Sequence, residues 1–305
     1  MDCPNYHIPV MLNECIRGLN IKPDGIYLDL TYGGGGHSKE ILNRLKVGGH
    51  LYGFDQDNDA KEGAIKDERF TFVHSNFRFI GNWMQYYKVD GVDGILADLG
   101  VSSHHLDDGE RGFSFRYDAL LDMRMNRKSS LNAYNIIMEY TEEQLADILY
   151  LYGELKQSRR IAAEIVRQRK NREIKTTGQL SGLVAPLLGR EREKKDLARV
   201  FQALRIEVNG EMKALGEMLE TAAAILNSGG RLVIMTYHSL EDRIVKNFIK
   251  EARQDKDNNN VESLIFGTPA SIFKDISKGA IIPSEKETNF NPRSRSAKLR
   301  IAEKL

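Results

Sequence analysis

The run Asp29-Leu30-Thr31-Tyr32-Gly33-Gly34-Gly35-Gly36-His37-Ser38 joins an apolar, strand-like stretch at residues 25–30 to a helix expected over residues 37–45. Glycines let a backbone turn sharply and come close to a ligand at the carboxyl edge of a parallel sheet. A second strand-like run ends in Phe54-Asp55-Gln56-Asp57, which puts an acid 20 residues after Gly35. A carboxylate there can accept hydrogen bonds from both ribose hydroxyls of an adenosine-bearing cofactor, each contributing about 1.5–3 kcal/mol. The dinucleotide fingerprint does not fit, because its third glycine position falls on Ser38 or Lys39. Asp29, ahead of the glycines, would repel a pyrophosphate. It suits S-adenosylmethionine, which carries an amino group and a sulfonium charge but no phosphate.

Asp98 closes a fourth strand-like run, beside the place where such a fold presents a methyl group. Many amine methyltransferases carry an Asp/Asn-Pro-Pro-aromatic motif there; here Asp98-Leu99-Gly100-Val101 stands in its place. Asp98 or a neighbouring carbonyl is therefore the candidate acceptor for a target amine, with a contact to the cofactor alone as the other reading. His238 and Ser239 follow a fifth strand, and Ser239 reads as a helix N-cap. The chain has no nucleophile elbow G-x-S-x-G, so a Ser-His-Asp hydrolase is disfavoured. No metal site is apparent, since the seven histidines lack ligand spacing with other donors.

These residues need a scaffold. Strand-like runs at residues 25–30, 50–54, 70–73 and 94–97 alternate with helical segments, the signature of βαβ units and a parallel sheet. From about 106 to 208 helical periodicity takes over, with Thr141-Glu142-Glu143-Gln144 as a capping start. Helices are expected over 154–172, 177–188 and 192–206. The earlier rhythm then resumes with a helix over 211–226, a turn at 227–230, a strand over 231–236, a helix over 240–252 and a final strand over 296–302. The expectation is an α/β, Rossmann-like domain of residues 1–105 with 209–305, interrupted by an all-helical insertion at 106–208. The polar run QDKDNNN at 254–260 reads as a surface loop.

Composition sets the remaining bounds. The 305 residues are 41% hydrophobic and 29% charged, with a formal net charge of +1. That excludes collagen-like and wholly disordered chains. No apolar run approaches the roughly 18 residues of a membrane span, and the first ten residues lack the pattern of a signal peptide. Two cysteines make no disulfide framework. A soluble, cytoplasmic protein is expected, with any polyanion site confined to local patches. Residues 156–175 carry eight basic and two acidic side chains, net +6, and residues 292–300 add Arg293, Arg295, Lys298 and Arg300 with no acid. Both patches suit phosphate binding. Phe113 and Phe115 read either as stacking surfaces for an extruded base or as hydrophobic plugs between the two domains.

Several blocks together resemble the RsmH (MraW) family of small-subunit ribosomal RNA methyltransferases. They are His7 to Glu14, the Asp29 to Ser38 loop, Asp98 to Ser103, Leu106 to Phe115, Phe201 to Ile206, His238 to Arg243 and Asn291 to Ser296. They lie in order along essentially the whole chain. The resemblance implies a class I methyltransferase domain with a helical substrate-recognition insertion, S-adenosylmethionine as cofactor, and a cytosine exocyclic amine of 16S ribosomal RNA within the small subunit as target. It implies cofactor contacts at Gly35, Gly36, His37, Asp55, Phe77, Asp98 and His105. The family typically has a glutamine at the position of His105, and its G-P-L-D-M-R-M run appears here as Ala119 to Met125 without the proline. A methyltransferase for another amine on RNA, DNA or protein, a nicotinamide oxidoreductase, and an RNA-binding assembly factor are the rival readings. The choice between monomer and homodimer stays open.

Overall fold

Short apolar runs that are buried on both faces form parallel strands, and helices between them supply the crossovers. The computed structural model describes residues 9–100, 109–251 and 271–305. The chain divides into two compact units, Met1–Gly100 with Lys213–Leu305, and Val101–Met212.

In the first unit, β1 (Ile26–Asp29), β2 (His50–Asp55), β3 (Phe70–His74), β4 (Val92–Asp98), β5 (Leu226–Thr236), β6 (Phe273–Asp275) and β7 (Lys298–Lys304) make one sheet in the order β3-β2-β1-β4-β5-β7-β6. The first five strands run parallel to one another, and β7 runs antiparallel to both β5 and β6. This is the mostly parallel, Rossmann-like sheet that the sequence led one to expect. Tyr27, Leu28, Leu51, Phe54, Ile95, Leu96, Val233 and Ile234 are fully buried at its centre. Helices Leu12–Leu19, Gly36–Leu42, Asn58–Glu62, Ile80–Tyr86, Glu211–Ile225 and Ser239–Glu251 belong to the same run of α/β elements. Residues 227–230, expected as a turn, are included in β5. Val92 pairs with Leu226 and Gly94 with Arg231, so these residues bulge out of the ladder, helped by the left-handed Gly229.

The second unit is helical. Helices Ala133–Glu139, Glu142–Leu151 and Thr177–Val184 each begin with a capping box, Asn132 with Asn135, Thr141 with Gln144, and Thr176 with Gln179. Each box satisfies two backbone donors that an isolated helix start leaves unpaired. The expected helix over 154–172 is shorter, Ser158–Arg169, because Glu154 takes a left-handed conformation (φ 50°) that breaks the segment ahead of it. Helix Glu193–Asn209 stops at Gly210, also left-handed, the usual glycine terminator. The unit has its own core around Leu121, Ile136, Ile161, Leu180, Val200 and Phe201. Among the described residues no helix is long and apolar enough to cross a membrane.

Candidate active site

The carboxyl edge of the sheet gathers three acids. Asp29 pairs with Gly53 of β2 and Leu96 of β4, so Asp55 and Asp98 each stand two residues further out along their strands. A parallel sheet places all three strand ends on one side, where the loops that follow can converge.

Asp29 differs from the sequence reading, which turned it toward a cofactor's positive charge. It is 1% exposed. One carboxylate oxygen accepts from the Thr31 N–H at 3.3 Å and the other from the Ser38 hydroxyl at 2.6 Å. It therefore ties the end of β1 to the glycine loop and to the helix after it. Burial lifts its pKa to about 6, against the pull of those two bonds. Ser38, noted in the sequence only because it is not glycine, is the residue that makes this brace.

Asp55 is half-buried. Its Oδ2 accepts from the Gly33 N–H at 2.8 Å and its Oδ1 from the Asp57 N–H at 2.9 Å. The acid after β2 and the loop after β1 thus form one unit. Gly33 (φ 51°) and Gly35 (φ 74°) occupy the left-handed region. A Cβ at Gly35 would lie 2.6 Å from the Tyr32 hydroxyl. That ring cannot give way freely, because its oxygen accepts from the Ile65 N–H at 3.1 Å and lies 3.3 Å from the Gly63 carbonyl. A Cβ at Gly36 would meet Pro9 at 2.2 Å.

His37 is buried, with Nε2 3.2 Å from the Val10 carbonyl. A carbonyl only accepts, so Nε2 carries the proton. Burial keeps the pKa of the imidazole below its ordinary value, and its ring is turned to the N-terminal segment. Phe77 opens the 3₁₀ turn after β3, half-buried against the sheet core, where the Asn76 side chain accepts from the Arg78 N–H at 3.0 Å. His105 lies outside the described residues.

Asp98 is half-buried at the end of β4. Its backbone N–H donates to the Thr31 hydroxyl at 2.7 Å, and its Oδ1 accepts from the Tyr237 hydroxyl at 2.7 Å. Burial raises its pKa to about 6, while the nearby His37 and the Tyr237 bond pull it back down. Tyr237 escaped the sequence reading. The signal available was its place directly after β5, on the same edge as Asp98. Next to it, the helix Ser239–Glu251 is capped by His238, whose Nδ1 accepts from the Glu241 N–H at 3.4 Å. Ser239, expected as the cap, is the first residue of the helix.

The half-buried carboxylates of Asp55 and Asp98, on either side of the strand whose end Asp29 braces and next to the glycine loop, suit a ligand that has hydroxyls to donate and a positive charge. They do not suit a phosphate. The pattern of the MraW methylase family matches residues 5–305.

The chain belongs to that family. It is 57% identical over 299 residues to the ribosomal RNA small subunit methyltransferase H of Phocaeicola vulgatus, covering 98% of this chain and 97% of the relative. The protein of the same name in Bacteroides thetaiotaomicron is 56% identical over 299 residues, with the same coverage. That of Porphyromonas gingivalis is 56% identical over 313 residues and covers all of both chains.

One of the two departures from the family can be placed against the structure. In the run Ala119 to Met125, the pairing to the start of helix Thr177–Val184 uses the Leu121 N–H on the Lys175 carbonyl at 2.9 Å and the Thr177 N–H on the Ala119 carbonyl at 2.8 Å. The N–H of Leu120, where the family typically has proline, takes no part in that pairing. Asp122 and Arg124 hold each other through two hydrogen bonds of 2.6 and 2.9 Å.

The basic segments divide. Arg167 is paired with Glu164 and Lys175 with Glu173, and Arg169 donates to the Ile137 carbonyl. Lys156, Arg159, Arg160, Lys170 and Arg172 are exposed. In the C-terminal segment, Lys298 and Arg300 both bind Asp242, at 3.1 and 2.7 Å, and Arg300 is buried. Arg300 braces β7 and is closed to a polyanion, whereas the Lys298 side chain is 45% exposed and Arg293 and Arg295 lie exposed in the same segment. Phe113 is buried in the core of the helical unit and Phe115 packs edge-on against Phe201 at 5.6 Å. Both rings serve that unit's own packing, so base stacking loses its support.

Proposed function

We propose that this chain transfers a methyl group from S-adenosylmethionine to N4, the exocyclic amine, of a cytidine in 16S ribosomal RNA, in the decoding region of the small subunit. The observation that carries the reading is the coupled pair of Asp55 and the glycine loop beside Asp98, in a member of this family. S-adenosylmethionine supplies a methyl group on a positively charged sulfur. Asp55 would accept the ribose hydroxyls, Gly35 and Gly36 would allow close approach, and Phe77 would pack at the exit of β3. His37 would support the loop through Val10, and His105 is assigned by resemblance.

The cytosine amine is a poor nucleophile because its lone pair is delocalised into the ring. An acceptor at Asp98 would hold an amine hydrogen and draw that pair toward nitrogen. Alignment of this kind lowers a barrier by about 7–11 kcal/mol, so positioning carries most of the rate. Residues 106–208 would recognise the substrate, and the exposed bases of residues 156–172 would meet phosphates. The reaction belongs to the cytoplasm, where ribosomal subunits are assembled.

The test is transfer of an isotope-labelled methyl group to small subunits from cells lacking the gene, followed by nucleoside mass spectrometry. Labelled N4-methylcytidine is expected. Label on another nucleoside, or on protein, would overturn the reading.

A further inference from the structure

Tyr237 is held from three sides. Its hydroxyl donates to Oδ1 of Asp98 at 2.7 Å, and its N–H donates to Oε2 of Glu241 at 2.9 Å. Its ring lies against Gly100, where a Cβ would sit 3.1 Å from Cδ2 of the ring and φ is 103°. A side chain at position 100 would be strained and would crowd this ring. Asp98 is fixed from the other direction by its N–H on Thr31 at 2.7 Å. One oxygen of the Asp98 carboxylate is thereby occupied, and Oδ2 has no hydrogen-bond partner among the described residues.

We propose that Tyr237 is a positioning residue for methyl transfer: its hydroxyl locks the Asp98 carboxylate through Oδ1 and leaves Oδ2 to receive the target amine. This rests on the reading of Asp98 given above and names the group that orients it. A carboxylate with two free oxygens would rotate and offer the amine a moving acceptor. With one oxygen held by a phenol, the second has a set direction.

The charged surroundings give the proposal a measurable consequence. His37 faces Asp98 from the helix after the glycine loop, Asp29 from β1, and Glu241 from the helix after Tyr237; Cys15 lies beside both Asp98 and Tyr237. The imidazole and the phenol favour the ionised carboxylate, whereas burial and the two acids oppose it. Loss of the phenol removes a stabilising bond to the ionised form, so the Asp98 pKa rises. A hydrogen bond to a charged group of ordinary strength corresponds to about one to two pH units.

Tyr237→Phe is compared with wild type by single-turnover methyl transfer to small subunits across pH 5–9, and by carbon NMR titration of the Asp98 carboxyl. The expected result is a wild-type acid limb near pH 6 that moves up by about one to two units in Tyr237→Phe, with the NMR midpoint moving alongside. Coincident limbs, or a rate lowered by one factor at every pH, would overturn the proposal, because that is how a purely structural tyrosine behaves. Asp98→Asn keeps an oxygen for the Tyr237 hydroxyl and removes the titration, so its limb should vanish; a limb that persists also overturns the proposal. Wild type that methylates no ribosomal RNA would bring down the function itself. The NMR titration tells that failure apart, since it reads the Tyr237–Asp98 bond without turnover.

Discussion

Asp29 shows how one buried carboxylate can serve a site without touching a ligand. Replacing it with alanine leaves the Thr31 N–H and the Ser38 hydroxyl without their acceptor. Each stranded group costs about 1–3 kcal/mol, so Asp29→Ala should lose about 2–6 kcal/mol in denaturant unfolding. Asp29→Asn should lose less, because its oxygen can accept from Thr31 and its NH₂ can donate to Ser38. The pH dependence has a definite sign. The folded pKa of about 6 lies above the unfolded value near 4. The stability tied to the protonated form is thus complete below about pH 4 and is lost as pH rises through 6. Asp29→Asn should flatten that part of the stability profile, and an unchanged slope would refute the assignment. Both acids of the loop region could be found from their spacing. The burial of Asp29 could not, since an acid at a strand end reads the same whether it faces a ligand or a serine.

At the scale of the element, the glycine loop is a rigid part. Gly35→Ala would force a left-handed alanine, costing about 1–2 kcal/mol, and would drive its Cβ into a Tyr32 ring anchored at both Gly63 and Ile65. Cofactor affinity should fall at least tenfold along with stability, measured by calorimetry and thermal unfolding. Normal affinity would mean that the loop does not approach the ligand. The periodicity of the sequence locates β1 to β5 and the main helices because their apolar spacing is strong. It misses β6, three residues at the sheet edge, and the helices Ala133–Glu139 and Glu285–Phe290. Those segments are too short to show a period. Their stability comes from caps such as Asn132 and Ser284 and from packing that a linear pattern does not encode. Tyr237 was illegible for a related reason: its partner Asp98 is 139 residues away in the chain.

For the molecule as a whole, an almost neutral chain places exposed basic side chains on one helical segment while bracing others with Asp242. Alanine at Lys156, Arg159, Arg160, Lys170 and Arg172 should weaken RNA binding and flatten its dependence on salt, by about one unit of slope for each phosphate no longer neutralised. Alanine at Arg300, buried against Asp242, should leave that slope alone and lower stability instead. Asp55, Asp98 and the glycine loop stand together at one edge of the sheet. Calorimetric titration of S-adenosylmethionine into wild type and into Asp55→Ala is the most direct measurement. Saturable binding by wild type that weakens about ten- to a hundredfold in Asp55→Ala is the expected result, in keeping with one or two charged hydrogen bonds. Absence of binding by wild type, or equal affinity in the two proteins, would contradict the account.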